Sequence, residues 1–218
     1  MIGVTMFPHP DVGCVQLAQH VQQILEDHAD GLPFHGWTHT DFVRMKAAEF
    51  ARERGADQRL VEAAALVHDL NYVVAPSSSP DAGRTYRGDL LRMHGFTDKD
   101  VVRIERIICG AHTAWRQEQV DQETACLSDA DTLYKALPIT PVLFSHKYLD
   151  ENEMPLADLA KKIVSEQLDK LSSNYYFYDD ELTRRYAPWA KANLRLWSAV
   201  LESLDDPDVA RLVRQEGH

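Results

Sequence analysis

The sequence predicts an all-α chain folded as a single-domain helical bundle, and three observations lead there. Apolar residues return every three or four positions in segment after segment, the period of a helix with one buried side. No run alternates apolar and polar side chains as a half-buried strand does. The chain has 218 residues, enough for one generous core that needs no disulfide or metal staple. The expected organisation is one domain over residues 1–218, with a core region at about 30–140 and supporting helices at about 153–205.

Each element has its own signal. Val15, Leu17, Val21, Ile24 and Leu25 share one side of a first helix from Asp11 to about Asp27, which Gly31-Leu32-Pro33 breaks. A second helix runs from about Trp37 to Arg54, with His39, Phe42, Val43, Lys46 and Phe50 on its inner stripe, and stops at Gly55. A third covers about Asp57 to Leu70 and holds the small-residue run Ala63-Ala64-Ala65-Leu66-Val67 just before His68-Asp69. Small side chains let a neighbouring helix come close, so this polar pair should sit at depth, where unpaired polar groups are costly. Asn71 to about Asp81 reads as a loop punctuated by Pro76 and Pro80.

A fourth helix spans about Ala82 to His94. A fifth opens on Thr97-Asp98-Lys99-Asp100, a capping box with Asp in place of Glu, and carries Val101, Ile104 and Ile108 towards His112. The sixth, about Glu123 to Leu137, holds Asp129 and Asp131 among apolar residues and ends before Pro138. Two longer helices, about Pro155 to Leu171 and Glu181 to Leu204, look like support, with aromatic anchors at Tyr186, Trp189 and Trp197.

Composition narrows the function. A formal net charge of −11 argues against a nucleic-acid polymer or an anionic membrane as partner, since both demand a basic face. A small anionic substrate stays open, with its phosphate met locally by a metal and a few Lys or Arg side chains. Cys14, Cys109 and Cys126 are odd in number and far apart, which fits a reduced, cytoplasmic setting. No window approaches the roughly 20 apolar residues of a membrane span. Glycine-rich nucleotide loops and the serine-hydrolase elbow are absent.

Four helices each present a His or Asp on or beside an apolar stripe: His39, His68 with Asp69, His112, and the pair Asp129 and Asp131. Helical bundles build metal sites from such facing side chains. The order His39, His68-Asp69, Asp131 resembles the H…HD…D signature of the HD-domain superfamily of metal-dependent phosphohydrolases. The flanks agree: His35-Gly36-Trp37-Thr38-His39 is similar to the family's H-D-W-x-H, Leu66-Val67-His68-Asp69-Leu70 to L-L-H-D-I, Ile107-Ile108-Cys109-Gly110-Ala111-His112 resembles its I-x-x-x-I-x-x-H helix, and Ser128 to Leu133 resembles Q-D-A-D-R-L.

The resemblance implies an HD-type bundle and one divalent ion, of manganese, iron, cobalt, nickel, zinc or magnesium, held by His39, His68, Asp69 and Asp131. Asp129 competes with Asp131 for the last place and is otherwise a supporting residue. It implies hydrolysis of a small phosphate ester or anhydride, such as a nucleotide, by water activated at the metal. His35 is then the general acid, and His112 binds the phosphate or the attacking water. Two departures stand out. The acid that many relatives carry after the His-Asp pair is missing from Leu70-Asn71-Tyr72. The family's arginines are replaced too, in Asp41-Phe42-Val43 and at Thr132, so Arg84, Arg87, Lys135 and Lys147 become the candidate phosphate contacts. Two other readings follow from the same scaffold: a di-iron oxygenase, with His94 and His112 as further ligands of a second metal, and a non-catalytic ligand-binding or regulatory module.

Overall fold

The computed structural model describes residues 12–112, 119–172 and 176–215. Every regular element among them is a helix. In order they are α1 (Val12–Asp27), α2 (Trp37–Arg54), α3 (Gln58–Val67), α4 (Asn71–Val74), a 3-10 turn (Pro80–Gly83), α5 (Arg84–Met93), α6 (Asp98–Ala111), α7 (Gln122–Ala136), α8 (Thr140–Leu143), α9 (Ser145–Asn152), α10 (Leu156–Ser172), α11 (Asp180–Ser203) and α12 (Pro207–Gln215). The predicted start of the first helix at Asp11 lies outside the described residues.

Local chemistry sets several of these ends. Gly55 closes α2 at φ 71°, a left-handed conformation that costs a residue without Cβ nothing. Asp57 accepts from the backbone N–H of Leu60 at the head of α3, and Asp121 does the same for Thr124 at α7. The capping box at α6 is formed in both directions between Thr97 and Asp100.

The main core is built where α2 packs against α3 and α7, with α1 and α6 closing the sides. Ala63, Ala64, Ala65, Leu66 and Val67 are all buried, so the small-residue run does what its composition demands: it brings helices close. Around it, buried charges are paired. Arg87 is fully buried and forks onto Glu105 at 2.8 and 2.6 Å while also donating to Pro80 O at 2.8 Å. Arg54 meets the buried Asp129 at 2.9 Å. Gly83 lets the 3-10 turn press onto α4, because a Cβ there would come within 2.8 Å of Asn71 Cα.

A second, smaller core unites Leu149 of α9, Leu159 and Ala160 of α10 and Trp197 of α11. It joins the first partly through Asn193 of α11, whose side-chain nitrogen donates to the carbonyls of Ala136 and Leu137 at 3.0 Å and lies 3.3 Å from that of Lys135. One amide thereby closes the C-terminus of α7, where helix carbonyls lack partners of their own.

Three expectations are corrected. The third helix ends at Val67, not Leu70, so His68 and Asp69 sit in the tight turn into α4. The segment from Asn71 begins with a helical turn, because Asn71 Nδ2 donates to Ser78 O at 2.8 Å and ties the turn down. Beyond Pro138 the chain forms α8 and α9 before the predicted support helices begin. No described helix is long and apolar enough to cross a membrane.

Candidate metal centre and cavity

Four imidazole and carboxylate groups meet where α2, the α3–α4 turn and α7 converge. Nε2 of His39 lies 3.3 Å from Nε2 of His68 and 3.2 Å from Asp69 Oδ2, and His68 Nε2 is 3.1 Å from the same oxygen. Asp131 Oδ1 on α7 is 3.7 Å from His39 Nε2. Ligand atoms around a single ion at 2.0–2.1 Å are separated by about 3.0 to 3.4 Å, for octahedral and tetrahedral arrangements respectively. The His39, His68 and Asp69 edges fall in that range, and Asp131 sits a few tenths of an ångström outside. The His-His-Asp group can hold a metal ion.

The rings are set up for that task. His68 Nδ1 donates to Ala65 O at 2.8 Å, which leaves the Nε2 lone pair directed at the cluster. His39 is buried, and its Nδ1 has no hydrogen-bond partner among the described residues. Without a cation the His39 proton therefore belongs on Nε2, facing Asp69, and an ion would take that proton's place. Burial lowers the His39 pKa and outweighs the pull of Asp69. His68 goes the other way: burial opposes protonation, but the Asp69 charge and hydrogen bond raise it. Both carboxylates stay ionised. Burial works against Asp69, yet the charge of His68 and bonds from both histidines take it well below the usual range. Asp131 likewise overcomes burial through Lys135, His39 and His68 and falls to about 2.

A cavity of about 840 Å³ opens beside the cluster, walled by the α3–α4 turn, the Pro76–Pro80 segment, α9 and α10. His35 lines it. Its ring pairs through Nδ1 with Glu151 of α9, and the other Glu151 oxygen accepts the backbone N–H groups of Phe34 at 2.8 Å and His35 at 3.0 Å. Burial opposes the ionised Glu151, but His35 and these N–H groups hold its pKa below the ordinary value. The imidazole is thus fixed by a carboxylate from the far side of the cavity. Sequence reading missed Glu151: it is separated by 116 residues from its partner and sits in a helix without an expected signal.

The remaining candidates divide. Asp69, His112, Asp131 and Lys135 line the cavity, and Lys135 donates to Asp131 Oδ2 at 2.6 Å. Burial, then Lys135, lowers the His112 pKa. Asp129 is occupied elsewhere, accepting from Tyr178 N at 2.7 Å beside Arg54. Arg87 is corrected as a phosphate contact, since its guanidinium is locked on Glu105 with no exposure to the cavity. Arg84 is corrected too: it is exposed, bonded to Asp81, and outside the cavity wall. Lys147 lies over the Phe144 ring, again off the wall. His94 is bonded to His20 at 3.0 Å and does not line the cavity, so it is not placed to complete a second metal site there.

Fold and cluster together define a class: an all-α helical bundle with a His-His-Asp group capable of holding a metal. Solved structures with the same architecture are known. The chain is similar to Bacillus subtilis YpgQ at 19% identity, TM-score 0.56, over 86% of this chain and 97% of that one. The ADP complex of YpgQ matches at 20% identity, TM-score 0.60, over 89% and 97%. Lin1889 of Listeria innocua matches at 18% identity, TM-score 0.52, over 88% and 96%. No family model and no curated protein matches the chain.

Proposed function

We propose that the protein is a metal-dependent phosphohydrolase acting on a small phosphate ester or anhydride, with a nucleotide as the substrate class. The observation that carries this reading is the set of donor atoms from His39, His68 and Asp69 at ligand-like separations, with Asp131 Oδ1 3.7 Å from His39 Nε2, beside a large cavity. YpgQ, which shares the fold, has been solved with ADP, and this supports the nucleotide assignment. A divalent ion held by the four residues would supply a strongly nucleophilic water near neutral pH and draw charge from a phosphoryl oxygen.

The chain's own groups do the rest. Asp69 and Asp131 stay ionised and His39 neutral, the protonation states that ligation needs. His112 and Lys135 face the phosphoryl group. His35, with Nδ1 held by Glu151, presents Nε2 to the leaving oxygen and gives it a proton. The cavity is large for a lone phosphoryl group, leaving room for a nucleoside.

The test is metal analysis of the purified protein joined to a phosphate-release panel of p-nitrophenyl phosphate and nucleoside mono-, di- and triphosphates. One ion per chain and a loss of over about 100-fold in Asp69→Ala are expected, more than loss of a merely supporting residue costs. Unchanged turnover in Asp69→Ala overturns the site, and tight nucleotide binding without turnover in the metal-loaded wild type returns the protein to the regulatory reading.

A further inference from the structure

Tyr72 stands three residues after Asp69, in the stretch where the expected acid is missing. Its side chain is half-buried in the cavity wall beside His68 and Asp69. The ring packs on the imidazole of His35, centroids 4.5 Å apart and planes tilted by 42°. Burial first, and then the charges of Asp69, Asp131 and Glu151 with the nearby Tyr148 hydroxyl, keep the phenol protonated. Tyr72 thus lines the same cavity as Asp69, Asp131 and Glu151, with its ring against His35.

Its hydroxyl makes no hydrogen bond with the described residues. That distinguishes it from neighbours on the same wall. Lys135 is bonded to Asp131, Lys162 to the Tyr148 hydroxyl at 2.7 Å, His35 Nδ1 to Glu151, and Asn71 to the Ser78 carbonyl. No arginine among the described residues lines the cavity. A phosphoryl group entering beside two ionised carboxylates needs donors for the oxygens that a metal leaves uncovered, because an unmet anionic oxygen in a partly dry site is costly.

We propose that Tyr72 is a catalytic residue that donates its phenolic O–H to a non-bridging oxygen of the phosphoryl group, the contact an arginine makes elsewhere. The inference rests on the phosphohydrolase reading. The hydrogen bond shortens as charge builds on that oxygen, so it acts on the transition state more than on the bound substrate. Packing on the ring of His35 is a separate matter, and phenylalanine preserves it.

The experiment compares wild type with Tyr72→Phe, using the fastest substrate of the phosphate-release panel, with metal content and circular dichroism confirming that both are folded and loaded. Removing one such donor is expected to lower kcat by about 100-fold with KM within about threefold. Calorimetry on the metal-loaded proteins supplies a second readout: orthovanadate, which adopts the five-coordinate geometry of the reacting phosphorus, loses at least tenfold in affinity, and inorganic phosphate loses less. A kcat within threefold of wild type, a loss carried by KM alone, or equal weakening of vanadate and phosphate overturns the role of Tyr72 and leaves the reading of the site standing. Wild type that releases no phosphate from any member of the panel overturns both.

Discussion

The core around α2, α3 and α7 and the layer formed by α9, α10 and α11 are held together differently. In the first, apolar burial is nearly continuous and every strong charge inside it is matched, Arg87 on Glu105 and Arg54 on Asp129. The second has a core of four buried residues and reaches the first in part by polar ties, Asn193 on the end of α7 and Glu151 on the loop before α2. The cavity lies between them. The contrast separates two contributions: the His-His-Asp group able to hold a metal comes from the continuous core, and Glu151, which fixes the His35 ring, comes from the layer tied on by a few directional bonds.

The largest effect expected is on the core. Arg87→Met leaves Glu105 buried without its partner and should cost about 3–5 kcal/mol in urea unfolding. Adding Glu105→Leu to that variant should restore most of the loss, since a buried ion pair replaced by apolar side chains is often neutral. If the single variant unfolds like wild type, the core is not held by matched charge and the comparison breaks. Asn193→Ala tests the other region. It should cost about 1–3 kcal/mol by stranding carbonyls at the end of α7. Its hydrogen exchange should rise across α9 to α11 while α2 and α3 stay protected, and uniform loss of protection would show that the two regions unfold as one.

The smallest effect concerns Glu151→Gln. Because the Glu151 pKa is lower in the folded state, its contribution to stability is full above the unfolded value and disappears as pH falls through the folded one. Thermal melts of wild type and variant should differ at pH 7 and converge below the usual 4.5. Melts that stay parallel down to pH 3 would remove Glu151 from the list of ties. Turnover should fall by roughly 10 to 100-fold with metal content unchanged, the cost typical of losing a group that orients a functional one.

Much of the core was legible because its signals are local. The end of α2 follows from Gly55 after an apolar period, and the capping box at Thr97 announces α6. His68-Asp69 stood out because a small-residue helix leaves no polar residue to chance. The choice between Asp129 and Asp131 was not legible: both have apolar neighbours, and only the chain's long-range course shows Arg54 and Tyr178 meeting the first. Arg87 illustrates the reverse error, a basic residue read as surface or phosphate-binding whose partner, Glu105, lies on another helix. Glu151 had no signal at all, since one acid among 34 acidic residues acquires meaning only from what folds against it.

The Glu151 bond to His35 also spans a long stretch of chain in the order of synthesis. A chain that has left the ribosome as far as Leu137 already contains His39, His68, Asp69 and Asp131, the proposed ligand set. It contains His35 as well, but not the carboxylate that fixes the ring. The groups proposed to hold a metal are therefore all encoded before the one carboxylate that fixes His35, which arrives only with α9.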